Sequence, residues 1–157
     1  MPDAPMPDIA PPDQPHAARR RWMAVLARAS ADELADRLGD IPPYRVLRGP
    51  EAGLVMTRGR TGGGGAPFNL GEMTVTRCTV RTETGFVGHA YVAGRSERLA
   101  ELAALADALL QDPLRQAALL EDVIETLARS QQARRDAVAA KAAATRVQFF
   151  AMRNMRT

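Results

Sequence analysis

Residues 57–78, TRGRTGGGGAPFNLGEMTVTRC, hold the densest chemistry in the chain: Gly62, Gly63, Gly64 and Gly65 in succession, with Arg58 and Arg60 before them and Arg77 after. Consecutive backbone amides without side chains can form a concave anion nest, and nearby guanidinium groups add charge-assisted hydrogen bonds. A nucleoside-triphosphate P-loop is excluded. That motif needs GxxxxGK[ST], and Gly59 is followed at the right spacing by Gly64, Gly65 and Ala66, without the lysine and the hydroxyl. The residues leave two readings of the loop open, an anion cradle and a mobile connection.

A second set lies on a predicted hairpin, EMTVTRCTVRTE followed by GFVGHAYVAG. A two-residue turn at Thr84 and Gly85 would pair Cys78 with Tyr91 and Val80 with His89. Period-two alternation then places Cys78, Val80, Val87, His89 and Tyr91 on one face. Arg77, Thr79 and Arg81 share the other with Gly88, Ala90 and Val92. Arginines among small residues leave room for a carboxylate, a phosphate or an acidic partner; a solvated sheet face is the alternative. Arg58, Gly62 to Gly65, Arg77 and Arg81 are therefore the anion- or partner-binding candidates.

His89 has no serine, cysteine or paired carboxylate placed by the sequence to complete a triad, so a packed or partner-facing histidine is expected. Cys78 is the lone cysteine, which excludes an internal disulfide, and no CxxC or Cys/His cluster offers a zinc site. It reads as a small strand residue with nothing local to lower its thiol pKa.

These groups need a scaffold, and 157 residues suffice for one domain with a real core. Aromatic residues make up 4% of the chain, too few for base-stacking RNA platforms. The positive charge is almost all arginine, Lys141 being the single lysine, and the net charge is only +3. Nucleic acid is not an expected partner on that balance. The N-terminus has prolines and aspartates where a signal peptide needs an apolar run, and no membrane span is expected; a cytoplasmic protein is the resulting expectation.

Residues 1–16 read as a disordered Pro-rich tail. From His16 a helical period runs through Trp22, Val25, Leu26 and Ala29. SADE at Ser30 is a capping box opening a helix that Gly39 ends. YRVLRG and GLVMTRG then read as two short strands joined by PEAG, and with the second hairpin they make a four-stranded antiparallel meander. The glycine loop would connect its two hairpins. From Ser96 a helix carries Leu99, Leu102, Ala103, Ala106, Leu109 and Leu110 on one face and breaks at Pro113. A last helical region thins into RRDAVAAKAAATRV, with too little apolar surface to be held by its own domain. The expected fold is α+β, one domain over residues 17–157, with N-terminal helices and a partner-binding C-terminal helix packed on the sheet.

Five blocks in order, RRRWMAVLA, GLVMTRGRTGGGG, FNLGEMTVTRCTVR, GHAYVAGRSERLAELAALADALLQ and RVQFFAM, resemble the G subunit of the bacterial carbon-phosphorus lyase core complex. The resemblance runs from about residue 19 to 155. It implies a subunit of a multi-protein transferase, inactive alone, working with the H, I and J subunits. In that assembly an alkylphosphonate displaces adenine from ATP to give a ribose 1-phosphonate 5-triphosphate. The I subunit is the nucleosidase-like partner, and the radical cleavage belongs to the J subunit. The resemblance brings no intrinsic cofactor and no catalytic residue for the G subunit; ATP enters as substrate of the assembly. Two rival readings are a free-standing basic RNA-binding protein, opposed by the low aromatic content, and a small hydrolase using His89, opposed by the missing nucleophile.

Overall fold

The computed structural model describes residues 14–60 and 65–146. Helix α1 (Gln14–Leu26) begins two residues before the expected start, and α2 (Ala31–Leu38) follows. Three strands come next, β1 (Tyr44–Gly59), β2 (Phe68–Thr82) and β3 (Val87–Ala93). The chain ends in α3 (Glu97–Leu109), α4 (Pro113–Leu119), a π-helical stretch (Leu120–Glu125) and α5 (Thr126–Ala144). Residues 1–13 of the expected tail lie outside the described residues.

The helix boundaries follow their caps. Ser30 Oγ accepts the amide of Glu33 at 3.1 Å, and Gly39 ends α2 at φ 58. Ser96 and Asp112 cap α3 and α4 in the same way, the latter with Pro113 in the first turn.

Helix α3 is the centre of the core. Every residue from Leu102 to Leu110 is buried, as expected of a helix that is apolar all round. The sheet covers one side and α1 and α2 pack on α3 as well, with the π-helical stretch packed behind against α1 and α2. Its alanines let the sheet approach closely. A Cβ on Gly88 would run into the backbone carbonyl of Ala104 and into Ala108, so β3 lies directly against the helix.

One charged residue among the described residues is fully buried in this core. Asp107 is fully buried and accepts four hydrogen bonds: Arg19 Nε at 3.1 Å, Arg19 Nη2 at 2.7 Å, Trp22 Nε1 at 2.9 Å and the amide of His89 at 2.9 Å. The carboxylate thereby ties α1 and β3 to α3, with its lone pairs satisfied as burial requires.

The sheet differs from the four-stranded expectation: among the described residues it has three strands in the order β1-β2-β3, all antiparallel. PEAG is not a turn. β1 runs through it, pairing Arg48 with Thr79 and Glu51 with Arg77, and the extra residues are absorbed as irregularities between Val46 and Arg48 and between Arg48 and Glu51. An edge strand tolerates this, because Pro50 lacks a donor and bulges bend the chain without ending the ladder. Gly49, at φ 76, is required there, since a Cβ would sit 2.5 Å from the carbonyl oxygen of Arg77. Gly59 pairs with Phe68, so residues 60–67 connect β1 to β2 within one hairpin rather than linking two hairpins.

The β2–β3 connection corrects the predicted faces. The loop has three residues, Glu83 to Gly85: the Thr82 amide donates to the Phe86 carbonyl and the Gly85 amide to the Thr82 carbonyl, each at 3.0 Å, with Gly85 at φ 93. One more loop residue shifts the register by one and turns β3 over relative to β2. Cys78 pairs with Ala90 and Val80 with Gly88, facing the core with Val92. Arg77, Thr79 and Arg81 share the outer face with Tyr91, His89 and Val87.

β3 pairs only with Val75 to Arg81, so beyond it Leu54–Gly59 and Phe68–Thr74 form a two-stranded ribbon. Leu54 and Met56 alternate on one of its faces. Met73 and Phe68 stand on the other, with Leu70 beside Gly59.

Candidate functional site

The corrected register assembles a three-row ladder on the outer face of the sheet. Arg45 stands opposite Arg81, with Val87 beyond. Arg48 stands opposite Thr79, with His89 beyond. Glu51 stands opposite Arg77, with Tyr91 beyond. The bulges of β1 bring Arg45, Arg48 and Glu51 to the same face despite their spacing of three.

Glu51 Oε1 accepts both Arg77 Nε at 2.7 Å and Arg48 Nε at 2.9 Å. The hydrogen bonds from Arg48 and then Arg77 hold its carboxyl below the usual carboxylate range, and the same carboxylate raises Arg77. Thr79 Oγ1 lies 3.1 Å from His89 Nδ1. With the threonine hydroxyl donating, the neutral ring carries its proton on Nε2. A hollow of about 220 Å³ opens among Arg48, Arg77, Thr79, His89 and Tyr91. A second, of about 310 Å³, is lined by Pro43, Tyr44, Arg45, Arg81, Thr82 and Glu83.

The structure joins some of the expected site residues and separates others. Arg77 and Arg81 belong to this face. Arg58 lies on the ribbon, its Nη2 bound to the Pro67 carbonyl at 3.3 Å, and Gly65 is exposed near the tip. Gly62, Gly63 and Gly64 lie outside the described residues. Arg45, Arg48 and Glu51 escaped notice as members of the site because β1 was read as two strands, and His89 and Tyr91 were placed on the opposite face because the register was one residue off. Asp107 carried a signal in the sequence: it is the one charge between Glu101 and Asp112 in an apolar helix.

Two neighbouring groups are inert. Burial pushes the Cys78 thiol up, away from reactivity. Tyr44, whose hydroxyl donates to Glu101 at 2.7 Å, is pushed up to about 12 by burial and by that bond. The His89 ring meets Thr79 and no carboxylate among the described residues, its amide alone donating to Asp107, which leaves the hydrolase reading without a triad.

The fold and site define a small α+β protein with an arginine-rich outer sheet face and an exposed apolar ribbon. Comparison with known proteins gives that class its family. The model of the family described as phosphonate metabolism protein PhnG matches residues 17–154. The alpha-D-ribose 1-methylphosphonate 5-triphosphate synthase subunit PhnG of Rhizobium meliloti (strain 1021) is 48% identical over 139 residues, covering 87% of this chain and 88% of that relative. The chain belongs to the PhnG family.

Proposed function

We propose that this chain is a non-autonomous subunit of a multi-protein synthase that joins an alkylphosphonate to the ribose of ATP, in phosphonate catabolism and phosphorus acquisition. A phosphonate oxygen forms a bond to ribose C1, the bond from C1 to the adenine nitrogen breaks, and adenine leaves with the electron pair and takes up a proton. The 5-triphosphate passes through unchanged. The relative of that activity, named as a synthase subunit, supports the reaction assigned here.

The observation that carries the subunit reading is the ribbon: Leu54 is 64% exposed, with Met56, Phe68, Leu70 and Met73 also exposed. Apolar side chains on both faces of a two-stranded arm mark an interaction site. Helix α5 agrees, since every residue from Gln132 to its end at Ala144 is exposed and only its first turns, Thr126 to Gln131, pack on the domain. The partners are the H, I and J subunits, in the cytoplasm. The closing FFAM of the C-terminal block lies outside the described residues. Among the described residues no helix is long and apolar enough to cross a membrane.

The test is purification of the tagged chain from its native host with its partners identified by mass. Recovery of H, I and J subunits with the wild type, and their loss with Leu54→Asp and Met56→Asp together, is the expected result. Recovery of the wild-type chain alone overturns the reading.

A further inference from the structure

Arg45 and Arg81 stand directly opposite each other on paired strands, where like charges repel. Both are exposed, and among the described residues neither meets a carboxylate, whereas Arg48 and Arg77 on the same face share Glu51. Arg45 and Arg81 line a hollow of about 310 Å³, where an anion bound between the two guanidinium groups would relieve their repulsion. We propose that this pair, continued by the Arg48–Thr79–His89 row, binds the polyphosphate chain of the substrate nucleotide.

Geometry sets the ligand class. Along β2, Arg81 and Thr79 are two residues apart, about 7 Å. Basic and hydrogen-bonding groups thus recur along the strand at a spacing that a single phosphate does not span and a polyphosphate does. The second hollow lies at the next row of the same sheet, at Arg48, Thr79 and His89. Glu51 occupies Arg77 and one nitrogen of Arg48, which confines the excess positive charge to the Arg45–Arg81 end. Glu83 lines the first hollow and sets its acidic rim.

This inference rests on the reading of the chain as part of a synthase acting on a 5-triphosphate. In such a reaction the triphosphate takes no chemical part, so gripping it supplies binding energy remote from C1 that orients the ribose.

The test is calorimetric titration of the full chain with inorganic tripolyphosphate and, separately, orthophosphate. Tripolyphosphate binds more tightly than orthophosphate, and Arg45→Gln or Arg81→Gln weakens it about tenfold or more, the scale of a lost charge-assisted bond. Both side chains are exposed, so the variants keep the wild-type circular dichroism. The charge-matched control Arg135→Gln, on the exposed part of α5, leaves affinity unchanged. Equal weakening in the control, or wild-type affinity in both sheet variants, overturns the site. Unchanged tripolyphosphate affinity with lost recovery of partner subunits also overturns it, by showing that the face receives an acidic protein surface. The subunit reading survives any of these results if the wild-type complex assembles.

Discussion

Glu51 and Arg77 face each other across β1 and β2, Nε to Oε1 at 2.7 Å, and the same carboxylate oxygen takes Arg48 at 2.9 Å. One acid therefore holds two arginines in place and sets where the face remains positive. All three side chains are more than a third exposed, so the cluster orders the surface more than it stabilises the fold.

Glu51→Gln removes the one carboxylate among these rows and should strengthen tripolyphosphate binding while leaving thermal stability nearly unchanged. Calorimetry and a melting curve check both. The lowered Glu51 pKa gives the accompanying pH behaviour: its contribution is present above the unfolded carboxylate value and is lost as pH falls through the depressed folded value. An NMR titration of the Glu51 carboxyl carbon should move back up in Arg48→Ala.

Asp107→Asn places an amide nitrogen where only donors converge. Breaking a buried ion pair costs about 3–5 kcal/mol, and urea unfolding should show a loss of that order. Arg19→Ala should cost less, because Arg19 is 32% exposed and its loss leaves Asp107 with the Trp22 and His89 donors. A change in Asp107→Asn below about 1 kcal/mol, the scale of a surface pair, would contradict the role assigned to it.

Gly88→Ala drives a methyl group into the α3 backbone and should cost about 1–3 kcal/mol or more by overpacking. Gly53→Ala is the control, because its Cβ would meet nothing within 4 Å. Its unfolding midpoint should stay at or slightly above the wild type.

Tyr44 can be followed by phenolate absorbance against the other tyrosine, Tyr91. Its ionisation should wait until about pH 12, while an unfolded tyrosine ionises near 10. The sign follows from the raised folded value: the stability from Tyr44 is fully present below the unfolded pKa and is lost as pH rises towards 12. Tyr44→Phe should flatten stability over that window.

The helices were legible in the sequence because their signals are local. Ser30, Gly39 and Pro113 act within a turn, and the apolar period of α3 reports its own burial. The sheet was not legible, because its register depends on one loop residue. Glu83 joins Thr84 and Gly85 in the connection, and that single residue decides whether His89 and Tyr91 face the core or the solvent. A physical clue was present: Gly88, Ala90 and Val92 are small because an alanine-rich helix lies on them, not because a pocket opens beside Arg77. Likewise PEAG carries turn residues that an edge strand accommodates as a bulge, so local composition alone could not separate a turn from an irregular strand. The arginine face was recognised in part, through Arg77 and Arg81, while Arg45 and Arg48 needed the long-range pairing of β1.

The central claim is that the chain contributes to adenine displacement only within an assembly, and the direct measurement is adenine release from ATP in the presence of methylphosphonate. The chain alone should release none, the complex reconstituted with H, I and J subunits should release adenine, and the same subunits without this chain should not. Adenine release by the purified chain alone, abolished by His89→Ala, would contradict the account and make the protein an enzyme in its own right.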